Sequence, residues 1–333
     1  MARPAGRAAG PDRAAIHRDA ALILAVAIAM ATAFVVSYAL TLDRPVPRHI
    51  PTALVGDPAD GSGLAERLDA GVDGALDYRP YPSTEAAYRA IRARRAAAAL
   101  VLDPSGPRLL VAGAESPALA RLLRDAASGV TSTGSGDLVV TDVLPLPDSD
   151  RSGLGGFYAM VAATLLGFLT TLQLRINDPQ LGAGSSLVAI AVLAAAGGFV
   201  LAVTVGPVIG ALPAPLAAVW VVLSAQIAVA ALFGTLMSRL FGRWAVVPTW
   251  LLFIALGNAA SGGPVSAFLL PQPYATISRV HPDGVTVDLL RTAAYFPDAG
   301  ALRPAMVEAG WLLGLLGLVL VMVRRARPGP ADR

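Results

Sequence analysis

Long blocks of apolar residues without charge alternate with polar stretches along this chain. The first block, residues 20–42, exceeds the apolar core of about 7–15 residues in a secretory signal, so we expect it to remain as a membrane anchor. Later blocks have the length of about 17–25 residues that a helix needs to cross a bilayer. They are predicted at residues 153–174, 186–212, 215–240, 244–260 and 306–323. The pattern predicts a polytopic α-helical membrane protein with six transmembrane helices.

Between the first two apolar blocks, residues 43–152 have the mixed composition of a soluble domain. Strand-like runs are "TALVG", "AALVLD", "RLLVAG" and "LVVTDVL", and amphipathic runs separate them. One of these runs, residues 63–76, is predicted as a helix with Leu64, Leu68, Val72 and Leu76 on one face. The segment therefore predicts a small α/β domain inserted between the first and second spans.

Two further helices are predicted in the insert, each with a serine at its start. Ser83 precedes "TEAAYRAIRARR", and Ser116 precedes Pro117 in "SPALARLLRDAA". A serine hydroxyl at such a position accepts a hydrogen bond from a free backbone amide of the first turn. Proline suits the first helical position, so Pro117 supports the start of the second of these helices.

Arginines in the short polar stretches predict the orientation. They flank the predicted spans at Arg175, Arg239 and Arg243, and Arg324, Arg325 and Arg327 follow the last one. Short cytoplasmic loops are enriched in basic residues, so we expect both termini in the cytoplasm of a multi-pass plasma-membrane protein. The tail 1–19 is predicted to be disordered, 324–333 to be a basic cytoplasmic tail, and the α/β insert and segment 261–304 to be extracellular.

Composition excludes several activities. Of 333 residues, 55% are hydrophobic and 15% charged, against about 25% charged in an ordinary soluble domain. There is no Cys, which excludes disulfides and thiol chemistry, and there is no Lys, which excludes a P-loop. The three His are far apart, and no hydrolase motif is present. We therefore predict no catalytic residues, no metal, no cofactor and no nucleic-acid partner. The lipid bilayer is the predicted environment of the chain.

The polar side chains in the middle of the predicted spans are uncharged, and the nearest ionisable residue, Glu308, falls in the first turn of the last span. No Asp, Glu, Arg or His lies in the middle of any span, which argues against a proton-driven pump. Hydrogen bonding between helices is one interpretation of the uncharged side chains, and lining of a substrate path is the other. The candidates for the path are Thr170, Gln173, Ser224 and Gln226. Small residues in "GPVIG" and "GWLLG" predict close helix packing at Gly206, Gly210, Gly310 and Gly314.

The fifth predicted span ends in an unusual polar segment. Gly257, Asn258, Ser261, Gly262 and Gly263 release the helix, and Pro264 prevents it from resuming. The following pieces, up to residue 304, are too short to span again. We predict that residues 261–304 form a re-entrant segment over the outer end of the bundle.

This arrangement resembles the membrane subunits of the ABC-2-type transporter superfamily, and most closely the bacterial phage-infection-protein (Pip/YhgE) branch. One span, an extracellular insert and five further spans are shared, as is the pattern "G…SGGP…LP…P-x-G…LR…YF". The matching residues here are Gly257, Ser261, Gly262, Gly263, Pro264, Leu270, Pro271, Pro282, Gly284, Leu290, Arg291, Tyr295 and Phe296.

The resemblance implies a permease that exports an amphipathic or lipid-like substrate as a homodimer with a separate ATPase. An extracellular gate is then expected at Asn258, Ser261, Gly262, Gly263 and Pro264, together with Arg291 and Tyr295. Arg291 would fix the re-entrant segment. The alternative is an envelope scaffold or surface receptor without transport activity, whose α/β domain binds a partner.

Overall fold

The computed structural model of the chain describes residues 13–42, 47–57, 63–103, 106–131, 138–178 and 181–325. The first twelve residues of the predicted N-terminal tail and residues 326–333 of the predicted C-terminal tail lie outside these ranges. Helix α1 spans Arg13–Leu42, so residues 13–19, expected in a disordered tail, are helical. Large apolar side chains such as Leu24 and Ile28 are exposed on α1. Such a surface is suited to contact with the hydrocarbon core of a bilayer.

The α/β domain follows α1. Its elements are β1 (Ile50–Val55), α2 (Leu64–Ala70), β2 (Leu76–Pro80), α3 (Thr84–Arg92), β3 (Ala98–Val101), β4 (Arg108–Val111), α4 (Pro117–Thr131) and β5 (Val139–Asp142). The strand order is β2-β1-β3-β4-β5, in which only β3 and β4 pair antiparallel. Apolar side chains of α2 and α4 pack on one face of the sheet and those of α3 on the other.

The serine at the start of each of the two helices α3 and α4 caps it. The Ser83 hydroxyl accepts a hydrogen bond from the backbone N–H of Ala86 at 3.2 Å, and that of Ser116 accepts one from Leu119 at 3.1 Å. The predicted helix 63–76 is wrong in its second half, because α2 ends at Ala70 and Leu76 begins β2. Leu76 still lies in the same hydrophobic core as Leu64. The pattern therefore predicted the burial of Leu76, although it did not predict the strand in which Leu76 lies.

Three long helices follow: α5 (Gly155–Asn177), α6 (Ala183–Val203) and α7 (Leu216–Phe241). A π-helical turn, Thr204–Val208, extends α6 and contains Pro207. Glycines let these helices approach closely. A methyl group at Gly167 of α5 would lie 2.5 Å from the carbonyl oxygen of Ile227 in α7.

The chain then reverses and forms a helical hairpin. Gly242 has φ 57° and ψ −122° and ends α7. A 3-10 turn leads into α8 (Val246–Trp250), a π-helical stretch (Leu251–Gly257) and α9 (Asn258–Ala260). The rings of Phe233 and Phe253 meet edge to face at 5.5 Å, so the two arms of the stretch 216–260 lie antiparallel.

The remaining elements are α10 (Tyr274–Ile277), α11 (Pro282–Tyr295) and α12 (Leu302–Arg325). Helix α11 packs against α5, α7 and α12. Its residues from Pro282 to Val287 are all buried, whichever direction their side chains take around the helix. Helix α11 is therefore enclosed by the bundle over this part, and does not lie flat on its surface.

Among the described residues, five helical segments are long and apolar enough to cross a membrane, by length and composition. The stretch 216–260 counts once among them although it reverses at Gly242. The protein is a polytopic helical membrane protein with an α/β domain between its first and second long helices.

The four glycines predicted to mediate helix packing make no close contact with another long helix among the described residues. A methyl group at Gly310 or Gly314 would meet no atom within 4 Å in the described part of the chain, and Gly206 has only a distant neighbour. Gly210 adopts a left-handed φ of 73° beyond the end of α6. Close contacts within the bundle occur instead at Gly167, Gly198 and Gly234.

We predict that Gly167→Ala lowers the stability of the bundle by about 1–3 kcal/mol, because the methyl group meets backbone atoms that cannot move aside. Gly317→Ala on α12 is the matched control, since nothing lies within 4 Å of its added methyl group. Replacing glycine by alanine in an open helix position adds about 0.5–1 kcal/mol of stability. The measurement is thermal unfolding of both variants in detergent. Equal unfolding temperatures would contradict the close contact.

Candidate functional site

A cavity of about 390 Å³ lies where the α/β domain meets the segment 261–304. We call it the junction cavity. Its walls come from the loops after α3 and before α4, from α11 and from the start of α12. The charged residues that line it are Arg94, Glu115, Arg279, Asp288, Arg291 and Arg303. Both domains therefore contribute charge to one site.

Arg94 joins the two domains across this cavity. Its guanidinium donates two hydrogen bonds to the Glu115 carboxylate, at 2.9 and 3.2 Å, within the α/β domain. It also donates to Asp288 at 2.5 Å and to Thr292 at 3.0 Å, both on α11. The same group lies 5.2 Å from the ring centroid of Phe296. A two-pronged donor of this kind fixes geometry as well as charge.

The side chain of Arg94 is held where its charge is compensated. Burial lowers the pKa of Arg94, but the adjacent carboxylates of Glu115 and Asp288 outweigh this effect and hold the pKa above its ordinary value. Arg94 also has a left-handed φ of 54°, an uncommon conformation for a residue other than glycine. The surrounding contacts thus outweigh the backbone strain of the turn that follows α3.

Three other arginines give the cavity its net charge. Arg291 donates a hydrogen bond to the carbonyl oxygen of Gly262 at 3.1 Å. Arg279 and Arg303 are exposed, and the described residues form no ion pair with either. Four arginines face two carboxylates in the lining, which leaves an excess of two positive charges. The cavity is suited to an anionic group.

An apolar groove of about 480 Å³ lies beside the junction cavity, along α12. Its lining consists of Val280, Val307, Gly310, Trp311, Gly314, Leu315 and Leu318. The two sites draw on the same elements, because Val280 follows Arg279 and Val307 lies one helical turn after Arg303. The indole N–H of Trp311 donates to the carbonyl oxygen of Val280 at 2.8 Å and fixes this wall. A charged cavity and an open apolar groove thus lie on neighbouring parts of these two elements.

A second polar cluster is buried within the bundle, around Gln226. The Gln226 side-chain amide donates to Asp283 Oδ1 and to Thr164 Oγ1, both at 2.6 Å. Its carbonyl oxygen accepts a hydrogen bond from Thr286 at 3.0 Å. Gln226 lies near the middle of α7 and Thr164 near the middle of α5, so this network connects three helices deep in the bundle.

Two carboxyl groups are buried at this level. Asp283 is 0% exposed and Glu308 of α12 is 4% exposed. Asp283 Oδ2 and both oxygens of Glu308 have no hydrogen-bond partner among the described residues. Burying an ionised carboxylate costs several kcal/mol even after the protein relaxes. Hydrogen bonds to a charged group contribute about 1.5–3 kcal/mol each. Glu308 accepts no such hydrogen bond among the described residues, so nothing there would offset the cost of burying its ionised form.

Three of the residues predicted for the extracellular gate line the junction cavity, and the other four lie elsewhere. Ser261, Gly262 and Arg291 line the junction cavity. Asn258 is buried deeper, within reach of Tyr38 of α1. A methyl group at Gly263 would meet the ring of Phe157. The hydroxyl of Tyr295 donates to the carbonyl oxygen of Ala211 at 3.1 Å, and Pro264 follows in the half-buried part of this loop.

The residues predicted for a path do not come together. Gln226 is at the centre of the buried cluster, whereas Ser224 lies against Gly198 at the contact of α6 and α7. Gln173 is exposed near the end of α5 and accepts from Asn177, and Thr170 is only partly buried. Gln226 alone among the four joins a buried network.

Of the charged residues at these two places, the sequence identified only Arg291 as a site residue. The sequence places no ionisable residue in the middle of a predicted span, yet Asp283, Glu308 and His281 are buried in the bundle. The sequence predicts residues 261–304 as a re-entrant segment and not as a span, so Asp283 is not counted among the intramembrane groups. Arg94 and Glu115 are close only after the α/β domain folds, and no spacing in the sequence signals that contact.

Comparison of the chain with protein-family models, with curated protein sequences and with solved structures finds no match. The arrangement of the site must therefore support any functional conclusion by its own chemistry.

We predict that Arg94→Gln separates the α/β domain from α11. Each hydrogen bond to a charged group contributes about 1.5–3 kcal/mol, and in this variant Glu115 and Asp288 lose their common counter-ion. Hydrogen–deuterium exchange should then rise in residues 288–296 and in the loop before α4. The matched control is Arg95→Gln, which removes the neighbouring exposed arginine. Similar exchange in both variants would show that Arg94 does not hold this interface.

Proposed function

We propose that this chain is an ABC-2-like membrane permease subunit that exports an anionic, amphipathic or lipid-like substrate with a separate ATPase. The observation that carries the proposal is the junction cavity, with its excess of positive charge, beside an apolar groove on α12. Neither a soluble metabolite nor a simple hydrocarbon needs both features. An amphiphile uses the two together.

The charge and size of the cavity support an anionic headgroup as its occupant. Ligand pockets commonly measure about 300–1,000 Å³, and the cavity of about 390 Å³ lies within that range. Arg279 and Arg303 are exposed in the lining and free of ion pairs within the described residues, so both can approach a phosphate or carboxylate. The apolar tail would then lie along Val307, Trp311 and Leu318.

The proposed topology places the termini in the cytoplasm and the α/β domain outside, with six membrane crossings. The antiparallel arms of the stretch 216–260 support six crossings, because each arm crosses once. The basic residues beside the helices support the orientation. Because the sequence contains no Lys and therefore no P-loop, energy would come from a separate ATPase, and a homodimer would enclose the path.

We predict that the purified chain binds phosphatidylglycerol more tightly than phosphatidylcholine. A basic residue near an anionic membrane surface contributes about 1 kcal/mol, so each of Arg279→Gln and Arg303→Gln should weaken binding about fivefold. Native mass spectrometry with defined lipids measures the difference. The control is Arg325→Gln, at the opposite end of the same helix. Equal binding of both lipids, or equal loss in the control, would contradict an anion site in the cavity.

Occupation of the groove by a second copy of the chain is a different outcome of the same experiment. Gly310 and Gly314 are open along the groove, and a dimer interface there would exclude an acyl chain. Bulky substitution at Gly314 would then dissociate a dimer and leave lipid binding unchanged. For the proposed amphiphile site, the same substitution lowers lipid binding and leaves the oligomeric state unchanged.

Partnership with an ATPase separates the permease from the envelope scaffold. The permease requires that an ATPase co-purifies with the chain and that anionic amphiphile stimulates ATP hydrolysis by the pair. Arg303→Gln should lower that stimulation and leave basal hydrolysis unchanged. A complex held through the α/β domain, indifferent to nucleotide, would instead support the scaffold and exclude the permease.

A further inference from the structure

Helix α11 introduces an acid into the middle of the bundle, close to a second acid on α12. Asp283 is fully buried near the start of α11, and Glu308 is almost fully buried. The two carboxyls lie within electrostatic range of each other. Neither forms an ion pair within the described residues. Two buried acids without a counter-ion are an unusual combination in a membrane protein.

The groups around Asp283 come from each helix that packs on it. Gln226 of α7 donates to Oδ1 at 2.6 Å, and the Thr164 hydroxyl of α5 lies 3.4 Å from the same oxygen. His281 caps α11, and its Nδ1 accepts from the backbone N–H of Asp283 at 3.2 Å. The acceptor role requires an uncharged Nδ1, so a neutral His281 satisfies this bond. Glu308 of α12 and Tyr38 of α1 are the other titratable groups in range.

These contacts do not suit two negative charges. Asp283 Oδ1 is hydrogen-bonded, but Oδ2 is not, and both oxygens of Glu308 are without partners among the described residues. Hydrogen bonds to one oxygen only are typical of a carboxylic acid, whose carbonyl oxygen accepts while its hydroxyl carries the proton. Like charges at close range further disfavour the doubly ionised pair. The sequence contains no Lys, and Arg291, the arginine of α11, donates to Gly262 instead.

We infer that Asp283 and Glu308 form a proton-binding site inside the bundle, in which the pair holds at least one proton at neutral pH. The site is distinct from the junction cavity and does not depend on the proposed export activity. The proton belongs to the pair, since coupled acids titrate together.

The location of Asp283 suggests what the proton controls. Asp288 and Arg291, on the next turns of α11, face the junction cavity. Loss of the proton would leave an unpaired charge beside Gln226, and that charge is relieved when α11 moves towards water. Protonation of the pair is therefore expected to hold α11 in its enclosed position and the cavity in its present shape.

The test uses dicyclohexylcarbodiimide, an apolar reagent that modifies protonated carboxyls in membranes. The acid adds across one C=N bond, so that its oxygen bonds to the central carbon and its proton moves to nitrogen. We expect label on Asp283 or Glu308 of the full-length protein at neutral pH, located by peptide mass spectrometry. Above the pKa of the pair, labelling should fall about tenfold for each pH unit, because the protonated fraction falls at that rate.

Matched variants assign the label. Asp283→Asn and Glu308→Gln keep side-chain size and should each remove label from their own position. Asp125→Asn, which changes an exposed acid on α4, should leave the labelling of the buried pair unchanged. An absence of label at both positions in the folded protein would overturn the inference. Protection by NaCl, but not by N-methylglucamine chloride, would also overturn it, because a sodium ion would then occupy the site.

Infrared spectroscopy gives a second measurement that does not require the reagent to reach the site. The difference spectrum between the protein and the double variant Asp283→Asn/Glu308→Gln should show a protonated carboxyl C=O band at neutral pH. That band should shift in D₂O and vanish at high pH. A difference spectrum with carboxylate bands only would show that both acids are ionised, which contradicts the inference.

Discussion

The hydrogen bonds of Gln226 are the constraint on which the rest of the structure depends. Polar groups inside a bilayer must find partners within the protein. Gln226 meets this requirement by bonding Thr164 of α5 and both Asp283 and Thr286 of α11. A short helix with two threonines and two aspartates is thereby held in the bundle. The position of α11 in turn sets the walls of the junction cavity and the burial of the carboxyl pair.

Helix α11 connects two chemically different environments. At its inner end the surroundings are buried and uncharged, apart from the pair Asp283 and Glu308. Towards its outer end Asp288 and Thr292 bond to Arg94 of the α/β domain. A displacement of α11 changes both ends together, because it is one helix. This geometry would link the proposed proton site, the docking of the α/β domain and the shape of the proposed amphiphile site.

The sequence was informative where local rules decide the outcome. Apolar blocks predicted the long helices, and Ser83 and Ser116 predicted helix starts, because a hydroxyl cap needs only its own first turn. β2 was missed, since "LDYRP" carries charges and a proline and lies at the edge of the sheet. The burial of Asp283 was missed for a different reason. It depends on Gln226 and Thr164, which lie 57 and 119 residues away in sequence, so no local sequence pattern predicts the contact.

The absence of cysteine allows a direct test of the enclosed position of α11. Single cysteines are introduced at each of residues 282–287 except Gly284, and at Gly300 as an exposed reference, and their reaction with a membrane-impermeant maleimide is measured. Burial around the whole helix predicts uniformly slow reaction at 282–287 and fast reaction at Gly300. Reactivity that rises and falls with the helical period of about 3.6 residues would show a helix lying flat on the surface, and would contradict the account.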